Sequence, residues 1–193
     1  MKMKTMTSTA ALACALCAAM AAPASAQTEK TALSAGYQFN RAPDLTLPLG
    51  WYVDVSGPVA PKLSIVGEVS GAYKSETMGV GTSSVDVTVR QHTFMGGVRV
   101  AARANPKVVP FGQVLLGAAR LSGGVTASGP AVSVIAASDA ETEFAMQFGG
   151  GVDLMTLGNI GLRLGADYRR IFVSDGGENQ FRLLAGVVIP FGK

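Results

Sequence analysis

A general base, a nucleophile pair or a metal site needs reactive side chains that converge, and this chain has few of them. His92 is its single histidine, and Thr93 and Phe94 follow it without a serine. A lone imidazole on a half-polar stretch reads as a packed residue rather than a base. Cys14 and Cys17 are the only cysteines and fall in a segment expected to be removed, so the inventory excludes a Cys/His metal site. In Asp175-Gly176-Gly177-Glu178, carboxylates flank two glycines. That spacing is not that of an EF-hand loop, and an outer turn is the better reading. Gly149-Gly150-Gly151 precedes no strand-to-helix transition of the kind a nucleotide loop needs, whereas glycines inside strands mark bends and close backbone approach. Catalytic, cofactor and metal residues are therefore none, and no basic patch points to nucleic acid.

What the chain offers instead is isolated charge set into regular alternation. Asp54, Glu68, Asp153 and Asp167 as acids, and Arg163, Arg169 and Arg182 as bases, fall on the polar face of their segments. Held together in an enclosed interior they should pair, because each unpaired buried charge is costly. Arg163, Asp167 and Arg182 lie on adjacent segments and are the first expected partners.

The elements that must position these charges begin after the N-terminal region. Lys2 and Lys4 precede the apolar run Ala10 to Ala22, then Pro23 and the triplet Ala24-Ser25-Ala26. This is the pattern of a cleaved secretory signal peptide over 1–26, with Gln27 as the mature N-terminus. The apolar run is too short for a helix that crosses a bilayer. Two of the 16 basic residues go with it, which leaves near balance against 13 acidic ones. The remaining 27–193 read as one domain. With only 15% charged residues against 48% apolar, and 24 glycines, the composition is poor for a water-facing surface.

Eight segments of roughly ten residues alternate between turn clusters, at 31–39, 48–59, 62–74, 84–102, 108–121, 143–154, 160–172 and 179–191. In the second, Leu49, Trp51, Val53 and Val55 oppose Gly50, Tyr52, Asp54 and Ser56; in the eighth, Phe181, Leu183, Ala185, Val187 and Ile189 oppose Gln180, Arg182 and Gly186. The fourth changes phase, since Val85, Val87 and Val89 hold one face and Phe94, Val98 and Val100 the other. A bulge or a bend near Arg90 to His92 is expected there. The fifth puts Gln113 and Arg120 on opposite faces, and its sides stay open.

Connection lengths also alternate: longer at 40–47 and 75–83, about twenty residues at 122–142, intermediate at 173–178, and short at 60–61, 103–107 and 155–159. Short periplasmic turns with longer outer loops are the asymmetry of a transmembrane β-barrel. On that topology 122–142 is an outer loop or an extended hairpin. Tyr37, Phe39, Trp51, Tyr73, Phe144, Tyr168 and Phe181 then fall near the outer ends of their segments on the apolar face. Phe111 and Phe191 fall near the periplasmic ends, and together these residues form the aromatic belts of a lipid-facing wall.

The stretches Phe111-Gly112-Gln113-Val114-Leu115-Leu116-Gly117-Ala118-Ala119-Arg120, Phe144-Ala145-Met146-Gln147-Phe148-Gly149-Gly150-Gly151-Val152-Asp153, Leu162-Arg163-Leu164-Gly165-Ala166-Asp167-Tyr168-Arg169-Arg170 and Gly186-Val187-Val188-Ile189-Pro190-Phe191-Gly192-Lys193 also resemble a family. It is that of the small eight-stranded outer-membrane barrels related to the OmpA transmembrane domain and OmpX. The resemblance implies residence in outer-membrane lipid and passage through the barrel assembly machinery. Many such barrels end on an aromatic residue; here Phe191 is followed by Gly192 and Lys193.

The expected architecture is thus all-β, a closed antiparallel eight-stranded transmembrane barrel with up-and-down connections and a plugged polar interior. Its expected role is non-enzymatic, structural or surface-interacting, with an extracellular partner the sequence does not name and at most very small-solute permeability. Two alternatives compete. A secreted lipocalin-like barrel would bind a hydrophobic small molecule in an apolar lumen, and its outer face should be charged. A lipid-modifying outer-membrane enzyme would need a serine near His92, as lipid A deacylase barrels have, and this chain lacks it.

Overall fold

A computed structural model describes residues 30–43, 45–80, 83–129, 132–157, 160–173 and 176–191. The predicted signal peptide, Gln27 and Asp175 lie outside them. The described residues form β1 (Thr31–Arg41), β2 (Thr46–Leu47), β3 (Leu49–Ala60), β4 (Leu63–Val80), β5 (Ser83–Ala101), β6 (Val108–Gly129), β7 (Val132–Leu157), β8 (Ile160–Val173) and β9 (Gly176–Phe191). Every long strand pairs antiparallel with its neighbour in sequence, and β1 pairs with β9 from Thr31↔Phe191 to Arg41↔Phe181. The sheet closes as an eight-stranded up-and-down barrel, with β2 a two-residue addition on β1. Closure satisfies every ladder group internally, which a spanning sheet requires in hydrocarbon.

Alternation sets the two faces. Outward residues include Ile65, Phe94, Val114, Leu116, Leu162 and Leu164, each about half exposed, while Ser34, Tyr52, Asp54, Glu68, Gln91, Gln113 and Arg182 are buried inside. An apolar exterior around a polar interior is the reverse of a lipocalin.

Three expectations are corrected. The bulge near Arg90 to His92 is absent, since β5 keeps one register against β4 and β6 over its whole length. The register shifts lie at strand ends instead, at Pro58/Ala60, Ala127/Gly129 and Met155/Leu157. The stretch 75–83 is largely strand rather than loop, and of the two readings open for 122–142 the extended hairpin is the one found. β4–β5 pairs up to Val80↔Ser83 and β6–β7 up to Gly129↔Val132. Phe111 points into the lumen and is buried, so it is no part of a lipid-facing belt.

A transmembrane strand needs about 9–11 residues; β6 has 22 and β7 has 26. Pairing of β3 with β4 stops at Leu49↔Tyr73, and that of β7 with β8 stops at Phe144↔Phe172. Beyond that level only β4 to β7 continue, as a four-stranded sheet standing above the barrel mouth. At about 3.4 Å per residue, the stretch 132–143 alone is roughly 40 Å of strand.

Candidate functional site

The lumen gathers side chains from all eight long strands because inward positions recur every second residue. Arg163 of β8 donates from Nη1 to Asp54 Oδ2 of β3 at 2.7 Å and from Nε to Asp153 Oδ1 of β7 at 2.7 Å. Arg99 of β5 reaches the same Asp54 at 3.1 Å and donates from Nη2 to Gln113 Oε1 of β6 at 2.7 Å. The two guanidiniums lie 4.7 and 4.8 Å from the Phe111 ring centroid, so the inward phase of β6 gives both a ring face to stack on.

One layer further out, Arg182 of β9 donates from Nη1 and Nη2 to the two Glu68 oxygens of β4 at 2.6 and 2.8 Å, and from Nη2 to Asp167 Oδ2 at 2.5 Å. Its Nη1 also reaches Gln38 of β1 at 2.9 Å. Arg169 donates to Gln147 Oε1 at 2.9 and 2.7 Å and lies 3.6 Å from Glu68. Gln113 Nε2 to Asp167 Oδ1, at 3.3 Å, joins the two layers. Gln91 and Gln180 then exchange amide hydrogen bonds at 2.9 and 3.0 Å.

All seven sequence-predicted charges are in this network. Asp167 pairs with Arg182, but Arg163 turns to Asp54 and Asp153 rather than to Asp167. Arg99 is the member the sequence reading missed; it balances four carboxylates with four guanidiniums. Also unforeseen is an apolar lumen cluster of Val66, Met95, Leu115, Ala119, Ala145 and Ile171, all buried. At the end of the barrel opposite the β4–β7 extension, a cavity of about 190 Å³ opens between Lys30, Arg99, Phe111, Asp153 and Arg163.

On the outer wall, Tyr37, Trp51, Phe144 and Phe181 are exposed near one level and Phe191 at the opposite end, while Phe39 and Tyr168 are half-buried. Trp51 Nε1 donates to Tyr73 Oη at 3.0 Å, and Tyr73 Oη lies 3.1 Å from His92 Nε2. His92 is thus on the outward face, in the girdle. Tyr37 Oη donates to the Pro48 carbonyl. Phe148 and Phe172 also belong to the girdle, with ring centroids 5.0 Å from Tyr168 and 5.6 Å from Phe144. The fifth segment's sides resolve with Phe111, Gln113, Leu115 and Ala119 inward and Val114, Leu116 and Arg120 outward. Among the described residues no three His, Cys, Asp or Glu side chains gather as a metal site.

Comparison with known proteins agrees with this geometry. The family model for the outer membrane protein beta-barrel domain matches residues 10–188. Among solved structures, a major outer membrane protein from Thermus thermophilus aligns with a TM-score of 0.60 at 15% identity, over 86% of this chain and 100% of that one. Ail, the attachment invasion locus protein of Yersinia pestis, in complex with the heparin analogue sucrose octasulfate, aligns at 0.54 and 18%, over 84% and 100%. Neisserial surface protein A aligns at 0.54 and 12%, over 83% and 96%. No curated protein matches the chain in sequence.

Proposed function

Because the chain belongs to the outer membrane β-barrel domain family, we propose that it is a non-enzymatic barrel that presents the β4–β7 sheet for contact at the cell surface. It is exported by a signal peptide cleaved after Ala26, handed to the barrel assembly machinery and held by outer-membrane lipid. One contrast carries the reading. The charged side chains that could act on a substrate or line a channel are taken up by each other inside the barrel, whereas the sheet above it presents open strand edges and accessible polar side chains. An exposed sheet edge is a template for pairing, and an exposed sheet face is a platform for docking.

The test compares cells carrying the full chain with cells in which 75–83 and 122–142 are replaced by short turns. Both proteins should insert and keep their heat-modifiable mobility, and only the full chain should change cell aggregation or adherence to protein-coated surfaces. Equal surface behaviour of the two would count against the reading, as would porin-sized conductance of the purified barrel in planar bilayers.

A further inference from the structure

The valines that change phase in β5 have a structural meaning. Gln91, Thr93 and Met95 face the lumen, and Val85, Val87 and Val89 share their parity in an unbroken register, so they carry the lumen-facing side of the sheet above the membrane. They are half-buried, and Met78 and Val125 of the same phase are exposed. The opposite face carries Ser75, Thr77, Ser84, Asp86, Thr88 and Thr126. The sheet is therefore amphipathic, and its apolar side overlooks the barrel mouth.

Two features shape that side. Gly123 pairs with Val89 and is flanked along β6 by Leu121 and Val125 of the same phase; a Cβ placed on it would meet nothing within 4 Å. In front of it lies an open hollow of about 290 Å³ lined by Val89, Leu121, Ser122, Gly123 and Glu141. Its rim is acidic: Glu141 of β7 lines it, and Glu143 on β7 and Glu76 on β4 share the lumen-facing phase. Among the described residues, Lys74 is the one cation of that phase above the ionic core, and it lies 2.8 Å from Glu76.

We infer that this hollow and its carboxylate rim form a docking site for a cationic amphipathic peptide segment, an apolar side chain of which fills the space in front of Gly123 while its cations face Glu141 and Glu143. Charge complementarity selects this occupant. An acidic partner would meet like charge, and a neutral apolar one would leave the rim unanswered.

The inference rests on the surface-contact reading and can fail separately from it. Purified full chain in neutral detergent is titrated with a labelled short peptide alternating Leu and Lys, with a Leu/Glu peptide of equal length as comparison. The Leu/Lys peptide should bind; Gly123→Trp, which fills the hollow, should weaken it about tenfold or more, and Glu141→Gln several-fold. Indifference of the peptide to Gly123→Trp, or equal binding of the Leu/Glu peptide, overturns the inference. So does a second copy in the hollow, seen in sedimentation as a dimer that Gly123→Trp abolishes. If the peptide fails while the trimmed chain still loses surface contact, the site falls and the surface-contact reading stands. Retained contact by the trimmed chain removes both.

Discussion

The same inward phase of the same strands carries two different chemistries. Below the level of Tyr73 and Phe144 it holds four carboxylates, four guanidiniums, a layer of amides and a small apolar cluster, all enclosed by a sheet that bonds to itself all round. Above that level it holds valines, a glycine gap and carboxylates that no second wall covers. A closed lumen makes any charge without a partner costly and so selects balanced networks. In the open sheet, solvent screens charge, and an apolar side chain is neither needed for packing nor excluded by lipid. The lower region should therefore be sensitive to single substitutions that the upper region tolerates.

The sharpest way to break this comparison is Arg182→Met. It leaves Glu68 and Asp167 facing each other without the guanidinium that now contacts both. Removing one partner of a buried pair typically costs about 3–5 kcal/mol, and here two carboxylates lose their shortest contact at once, keeping only Arg169 at 3.6 Å from Glu68 and Gln113 at 3.3 Å from Asp167. Urea unfolding in detergent micelles should show a loss in or above that range. Adding Glu68→Gln and Asp167→Asn should restore most of it. A loss under about 1 kcal/mol would mean a solvated lumen, where exposed-pair energetics apply.

Asp167→Asn alone is the gentler version. Arg182 keeps Glu68, and the amide still accepts one hydrogen bond, so a loss of about 1–3 kcal/mol is expected, against nearly none for an equivalent change above the barrel. An unchanged unfolding midpoint, together with steady porin-sized conductance, would sink the plugged lumen.

How far this contrast was legible in the sequence depends on which side of the membrane boundary one reads. Within the bilayer, lipid forces the apolar residues outward, so period-two alternation located the strands and assigned Asp54, Glu68, Asp167 and Arg182 to the polar face. Past the boundary that rule has no physical cause. Val85, Val87 and Val89 then looked like a reversal of the backbone, when only the solvent had changed. The supposed bulge also hid Arg99, whose phase opposite Phe94, Val98 and Val100 would have placed it in the lumen. The small residues of 122–142 carry little β-propensity, and their strand character comes from the unbroken ladders of β5–β6 and β6–β7. Phe111 points inward because it shares the phase of Gln113 and Leu115 on β6, the strand whose sides the sequence left open; there its ring meets two guanidiniums.

Two glycines of β6 sharpen the comparison within a single strand. Gly117 lies in the barrel wall, where an added Cβ would meet the Phe94 carbonyl and come to 2.8 Å from Met95 Cα; Gly123 has open space in front of it. Backbone cannot retreat the way a side-chain tip can, and overpacking of this kind costs typically about 1–3 kcal/mol. Gly117→Ala should lower stability by that amount and Gly123→Ala by under about 0.5 kcal/mol. Equal losses would show that the extension is packed as tightly as the barrel.

The smallest effect is expected at Glu141, and its smallness is informative. Glu141 lies on the same face of β7 as Gln147 and Asp153, and it is exposed where they are enclosed or nearly so. Its charge is exposed to solvent, so neutralising it strands no desolvated partner. Glu141→Gln should move the unfolding free energy by no more than about 0.5 kcal/mol, and adding salt should shrink even that. The same substitution should weaken the Leu/Lys peptide, because a bound cation would sit against this carboxylate in partial exclusion of water. A stability change as large as that of Asp167→Asn would place Glu141 in the enclosed network and move the boundary between the two regions upward along β7.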